Sequence, residues 1–320
     1  MNLLEQLKTQ TKVVADSGDF ESIRRFKPLD STTNPSLIYA AAQDSKYAYL
    51  IDEAVTFANK ATSDQSEKLQ IAFEKLFIGF GLEILKIVPG RVSIEVDARL
   101  SFDTEKSVKK ARELIMMFQK AGIGRERILI KLASTWEGIK AAEILAKEGI
   151  HCNLTLLFSL PQAVACAQAG VQLISPFVGR VLDWHKKAYP DKAFTPDIEP
   201  GVCLVKNIYN YYKKFDYDTE IMCASFRNTG EILELSGCDL MTIAPSLLNE
   251  LESAEGTLSQ KLIPDQAKVS DIKKMELDEK KFRWLMNEDA MATEKMAEGI
   301  RKFTEDILKL EGMLLKKLNS

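Results

Sequence analysis

The sequence predicts an α/β fold, a closed (β/α)8 TIM barrel with extra helices, and three observations lead to it. Short apolar runs that end on a small or polar residue recur along the chain, and helical patterns separate most of them. No GxGxxG follows the first run, which removes the usual fingerprint of an open dinucleotide-binding sheet. The runs are Lys12 to Asp16, Asp30 to Asn34, Val92 to Asp97, Arg127 to Leu132, Cys152 to Phe158, Leu173 to Val178, Glu220 to Phe226 and Leu240 to Pro245. Thr104 to Ala121, Thr135 to Glu148, Pro161 to Ala169 and Glu231 to Ser236 read as crossover helices. A helical insertion over about 35–86 follows the second run, and a Pro-bearing loop from Lys186 to Pro200 follows the sixth. Met296, Ile300, Phe303, Ile307, Leu310 and Leu314 recur every three or four residues, one long amphipathic C-terminal helix over about 288–318. Such a stripe must be covered, by the barrel's outer helices or by a second subunit. The charge-rich stretch from Ser253 to Lys281 reads as a solvated connection, and the whole chain, 1–320, as a single barrel domain.

Composition narrows the partners. The 320 residues hold 43 Lys plus Arg against 46 Asp plus Glu, a net charge of −3, which gives no general attraction for nucleic acid or anionic membrane. A small molecule whose charge is met locally is the expected partner. Met1 to Lys12 carries Glu5, Lys8 and Lys12 and lacks the apolar core of a secretion signal, so cytoplasmic residence is expected. Cys152, Cys166, Cys203, Cys223 and Cys238 form no CxxC and read as reduced, packed thiols. Gly149 to Gly179 holds no Asp, Glu, Lys or Arg and could span a bilayer by length alone. Asn153, Ser159, Pro161, Gln162, Gln168, Gln172 and Pro176 divide it instead into a strand, a short helix and a second strand. His151 and His185 are the only histidines and no GxxxxGK[ST] occurs, so neither a His-rich metal site nor a P-loop is expected.

The chemistry centres on Ile128-Leu129-Ile130-Lys131-Leu132-Ala133, where one lysine interrupts an apolar strand. Both faces of a barrel strand are buried, and burial disfavours an ammonium ion, so a lysine there must be paired or give up its proton. A neutral buried amine is the nucleophile that Schiff-base chemistry needs; a buried lysine–carboxylate pair without chemistry is the alternative. Period-two parity selects the neighbours. Ser93, Glu95 and Asp97 share one face, so Glu95 can face Lys131; Asn153 and Thr155 alternate with hydrophobic residues, and Asp16 closes Val13-Val14-Ala15. These are the strand ends where barrel enzymes place catalytic groups, though a satisfied polar network would look similar. Arg180 and Arg227 follow two later strands, with Ser175 and Ser225 on the same rim. Two guanidiniums at strand ends suit a phosphate, whereas either alone would read as a surface ion pair.

Assembled, Asp16, Thr32-Thr33-Asn34-Pro35-Ser36-Leu37, Glu95-Val96-Asp97-Ala98-Arg99 and Ile130-Lys131-Leu132-Ala133-Ser134-Thr135-Trp136 closely resemble the transaldolase family. The resemblance continues, in the family's order, through Asn153-Leu154-Thr155-Leu156-Leu157-Phe158-Ser159, Ser175-Pro176-Phe177-Val178-Gly179-Arg180, Ala224-Ser225-Phe226-Arg227-Asn228 and Thr242-Ile243-Ala244-Pro245. It covers nearly the whole chain, and is to the longer members rather than to the short relatives that include fructose-6-phosphate aldolase. It implies a barrel of the class I aldolase type, with its Schiff-base lysine on the fourth strand, where Lys131 falls. By resemblance, Lys131 attacks the ketone of fructose 6-phosphate or sedoheptulose 7-phosphate, Glu95 acts through a water held with Thr155, and Asp16 takes the C4 hydroxyl proton. Asn34, Asn153 and Ser175 would hold the dihydroxyacetone hydroxyls, with Thr32 a further substrate contact, and Arg180, Ser225 and Arg227 would surround the phosphate. An aldose phosphate, glyceraldehyde 3-phosphate or erythrose 4-phosphate, would then accept the unit, a step of the non-oxidative pentose phosphate pathway. Phe177 stands where the short relatives tend to carry Tyr, so transfer is expected over release to water. No metal or organic cofactor is implied, and a homodimer is what the family suggests. Cys223, on parity with Ser225, is expected to point into the barrel.

Overall fold

Eight parallel strands close into a barrel in the computed structural model, which describes residues 1–319. They are β1 (Lys12–Asp16), β2 (Asp30–Thr32), β3 (Val92–Glu95), β4 (Ile128–Ala133), β5 (Cys152–Leu157), β6 (Leu173–Pro176), β7 (Glu220–Cys223) and β8 (Leu240–Ile243). Each pairs with its successor, and β8 returns to pair with β1, Val14 opposite Thr242, so no strand edge is left open. The expected (β/α)8 barrel is therefore the fold.

The barrel interior is layered, and the layering decides which end can hold a ligand. At the N-terminal end Arg91 lies between Asp30 (2.9 Å) and Glu220 (2.7 Å), a partly buried ion cluster that closes the floor. Above it Val14, Leu129, Leu173, Met222 and Leu240 form an apolar plug. The next inward positions carry polar side chains, so the polar surface of the barrel opens only toward the C-terminal ends of the strands.

Most strands end sooner than the apolar runs suggest. Asn34, expected within the second strand, is the N-cap of helix Pro35–Ala42 and accepts from Leu37 N at 2.9 Å. Asp97 likewise leaves β3 to cap Ala98–Leu100, accepting from Arg99 N at 2.8 Å. In both cases a short polar side chain satisfies the free amides of the next helix, which strand geometry would forbid. Parity fails at the same places. Cys223 does not point inward: β7 stops there, Ser225 adopts a left-handed backbone at φ 62°, and the alternation breaks between them. Met222 faces the interior instead, while Cys223 packs outside the barrel with its Sγ 3.3 Å from Cys238 Sγ.

The inserted helices Pro35–Ala42, Ala48–Ala61 and Gln65–Leu85 pack beside the barrel and receive the C-terminal helix Ala290–Leu318. Ile300, Phe303, Ile307, Leu310 and Leu314 are all buried against the chain's own core, so the stripe offers no face to a second copy. The helix also crosses the barrel mouth at β5 rather than lying only on outer helices. Gly299 makes that approach possible, because a Cβ there would come within 2.5 Å of Leu156, whose own left-handed backbone (φ 54°) marks a register shift in β5.

The charged stretch 253–281 is not a solvated connection throughout. Leu258, Leu262 and Ala267 are buried, the short helix Pro264–Lys268 forms within it, and Lys261 N and Leu262 N both donate to Ser236 O. Sparse apolar anchors and backbone hydrogen bonds hold it, and neither is visible in composition. Gly149 to Gly179 is β5, helix Leu160–Gln168 and β6, and among the described residues no helix is long and apolar enough to cross a membrane.

Candidate active site

Lys131 is delivered to the polar layer by β4, opposite Glu95 of β3 on one side and Asn153 of β5 on the other. It is 5% exposed. Its Nζ donates to Thr33 O at 3.1 Å, lies 3.0 Å from Glu95 Oε2, and stands 5.6 Å from the centre of the Phe303 ring. The contact to Glu95 has the distance of an ion pair but not the alignment of a hydrogen bond, so Oε2 keeps its capacity to bond elsewhere. Thr155 Oγ1, fully buried one step further along, is likewise without a hydrogen bond among the described residues.

Asp16 ends β1 across the mouth from Lys131. Thr32 Oγ1 donates to Asp16 Oδ1 at 3.1 Å and lies 2.7 Å from Thr242 Oγ1, so three strands fix that carboxylate. Burial holds both Asp16 and Glu95 above the ordinary carboxylate range, against the opposing charge of Lys131. Carboxyls so raised hold a proton more readily than exposed ones, which suits groups that take up and return protons.

A cavity of about 240 Å³ opens above these groups, lined by Asp16, Thr32, Asn34, Lys131, Thr155, Ser175, Phe177, Arg180, Ser225 and Arg227 among others. Ten of the twelve residues expected at the site thus share one cavity. The other two stand behind its wall: Glu95 touches Lys131, and Asn153 donates to Ser93 Oγ (3.1 Å) while accepting from Ser175 Oγ (2.7 Å). Asn153 therefore orients Ser175 in this structure.

The two arginines are not equivalent, which their sequence positions hide. Arg227 is paired with Asp183 at 2.8 Å and is 42% exposed at its side chain. Arg180 has no ion pair or hydrogen bond among the described residues; its guanidinium stacks over Phe177 (4.8 Å) and Phe303 (5.7 Å). Burial and the neighbouring charge of Arg227 hold its basicity below the usual value. An unneutralised cation on a cavity wall is an anion site, and Arg180 carries that reading more strongly than Arg227. Phe303, Thr242 and Thr33 were not expected here. Only the central place of Phe303 in the C-terminal stripe and the polar Thr242 at a strand end hinted at the first two.

Among the described residues no three His, Cys, Asp or Glu side chains come together as a metal centre needs. A closed barrel with a buried lysine between carboxylates at its C-terminal mouth defines a Schiff-base barrel enzyme. The chain belongs to the transaldolase/fructose-6-phosphate aldolase family, whose profile matches residues 13–314. It is 57% identical over 316 residues to the transaldolase of Homo sapiens, covering 98% of this chain and 94% of that one. To the transaldolase of Rattus norvegicus it is 57% identical over 318 residues, 99% and 94% of the two chains. To that of Shewanella putrefaciens it is 56% identical over 319 residues, 100% and 99%.

Proposed function

We propose that this transaldolase-family enzyme moves a dihydroxyacetone unit from fructose 6-phosphate or sedoheptulose 7-phosphate to an aldose phosphate through an imine on Lys131. The observation that carries this is the joint placement of Lys131, Glu95 and Asp16 beside a cavity whose wall holds the unneutralised Arg180. Lys131 Nζ adds to the C2 ketone, and Glu95, 3.0 Å away, is placed to take the ammonium proton first. Glu95 and Thr155 then serve the loss of water from the carbinolamine, since both keep an oxygen free to bond. Asp16 takes the C4 hydroxyl proton as the C3–C4 bond breaks, leaving an enamine on Lys131 and a free aldehyde. A second aldehyde meets the enamine at C3, the proton returns to the new C4 hydroxyl, and water releases the product.

Borohydride with fructose 6-phosphate, followed by peptide mass mapping, tests this. A dihydroxyacetone-sized reduced adduct on Lys131 is expected. No adduct, with binding confirmed separately, overturns it. Discharge of the enamine by water, the fructose-6-phosphate aldolase reaction, is disfavoured by the apolar Phe177 ring, which packs edge-on against Phe158 at 5.5 Å and under Arg180. Product formation is accordingly expected to require an aldehyde acceptor, and to stop when none is supplied.

Arg227→Ala is expected to raise KM for phosphorylated sugars by about threefold to tenfold with little change in kcat, because Asp183 already neutralises its charge. Initial rates with fructose 6-phosphate and with fructose check this; an equal effect on both would remove the phosphate role. Near-neutral net charge and five free cysteines support a cytoplasmic enzyme that takes sugar phosphates and not nucleic acid. A homodimer rests on the family resemblance, and its interface would use a face other than the C-terminal stripe.

A further inference from the structure

We propose that Glu199 and Glu231 hold one proton between them, and that this carboxyl–carboxylate pair positions the Arg227 loop and so sets how tightly the site grips a phosphate. The inference rests on the phosphate reading of Arg180 and Arg227 given above. Glu231 is fully buried and Glu199 only 3% exposed. Glu231 Oε2 accepts from the backbone amide of Arg227 at 2.6 Å, and Asn228 Nδ2 reaches Glu199 Oε1 at 3.4 Å. Asn228 Oδ1 in turn accepts from Glu231 N at 2.9 Å, capping helix Thr229–Glu234. The remaining oxygens, Glu231 Oε1 and Glu199 Oε2, are buried without another donor. Two carboxylates both ionised in such a place repel without a donor to offset them; a proton between them supplies the missing donor.

Among the described residues no cation answers the pair. On Pro200–Lys214, Lys206 is paired with Glu234 at 2.8 Å, and the Arg227 guanidinium is turned to Asp183. On Pro196–Ile198, Asp197 bonds Thr195. On Pro245–Ser253, Glu252 pairs with Arg25 and Glu250 is exposed. Burial and the neighbouring Glu199 accordingly push the Glu231 carboxyl up to about 8. The device matters because it sits under a strained turn: Ser225, φ 62°, leads into Arg227, and both line the cavity. Protonated, the pair pins the loop. Above that pH the proton leaves and the carboxylates repel; the ionised Glu231 keeps its bond to the Arg227 amide, so its displacement carries the Arg227 loop with it.

The test is KM and kcat between pH 6 and 9.5 for fructose 6-phosphate and for fructose, in the wild type, Glu231→Gln and Glu231→Ala. In the wild type, KM for the phosphorylated sugar is expected to rise about fivefold to tenfold above pH 8, the scale of one displaced hydrogen bond to the phosphate, while kcat changes less. Gln keeps an oxygen for the Arg227 amide and offers a permanent N–H to Glu199, so Glu231→Gln is expected to abolish the alkaline rise. Glu231→Ala is expected to raise this KM at every pH. An alkaline rise that survives Glu231→Gln overturns the proposal, as does a Glu231→Ala KM equal to the wild type. Should the Ala variant not fold, Glu199→Gln replaces it, with the same flat profile expected and a persisting rise equally fatal. Arg180→Ala in the same assay separates the two failures. If it also spares the phosphorylated sugar, the phosphate reading falls; if it alone raises that KM, only the proton-sharing pair does.

Discussion

Lys131→Ala is expected to lower turnover by about four orders of magnitude or more and to abolish the borohydride-trapped adduct, with the far-ultraviolet circular dichroism of the barrel unchanged. The nucleophile cannot be replaced by a neighbour, because among the described residues no other lysine lines the cavity. The fold survives because Lys131 contributes one side chain to a layer resting on the apolar plug of Val14, Leu129, Leu173, Met222 and Leu240. Stability nevertheless acquires a pH signature. Asp16 and Glu95 are raised by burial, and Lys131 is the largest influence holding them down. A carboxyl raised in the folded chain binds more protons folded than unfolded, so its contribution is full at acid pH and is lost as pH rises through the folded value. Removing the ammonium moves both folded values further up. The variant is therefore expected to lose melting temperature more steeply than the wild type as pH rises from the ordinary carboxylate range through the raised folded values. Parallel melting curves for the two proteins at pH 5 and pH 8 would sink this account. Normal turnover in the variant would sink the mechanism.

The site was legible wherever a polar residue interrupts an apolar strand, because burial leaves such a residue few alternatives. Lys131, Glu95, Thr155 and Asp16 stand out in this way, and the structure brings them to one end of the barrel. Legibility fails where a long-range contact decides. Nothing local distinguishes Arg180 from Arg227, since the difference is Asp183, which neutralises one and leaves the other. Phe303 lies more than a hundred residues from the strands it caps, and only packing of the C-terminal helix over the mouth shows that it faces Lys131. Cys223 was misplaced because parity holds only within a strand, and the left-handed Ser225 lies beyond its end. The Glu199–Glu231 pair was invisible for a related reason: Glu231 lies in helix Thr229–Glu234 and Glu199 just before helix Pro200–Lys214, and alone each looks like an ordinary surface carboxylate.

Asp16→Asn is expected to lower kcat by about two to four orders of magnitude while leaving imine formation intact, and that division locates its role. Asn keeps an oxygen for the Thr32 hydroxyl at the end of β1, so the local geometry is retained. It cannot take the C4 hydroxyl proton, and the C3–C4 bond then stays closed. Borohydride trapping with fructose 6-phosphate is accordingly expected to give an adduct on Lys131 of hexose phosphate size, where the wild type gives one of dihydroxyacetone size. The pH profile carries an independent sign. A base must be ionised to act, and burial raises Asp16, so wild-type kcat should fall on the acid side at a pH above that of an exposed aspartate. Glu95 is raised as well, through the same cause, and belongs to the imine steps. In Asp16→Asn the residual acid limb is then that of Glu95 alone. A dihydroxyacetone-sized adduct formed at the wild-type rate in this variant would show that another group accepts the proton and would remove Asp16 from the bond-breaking step.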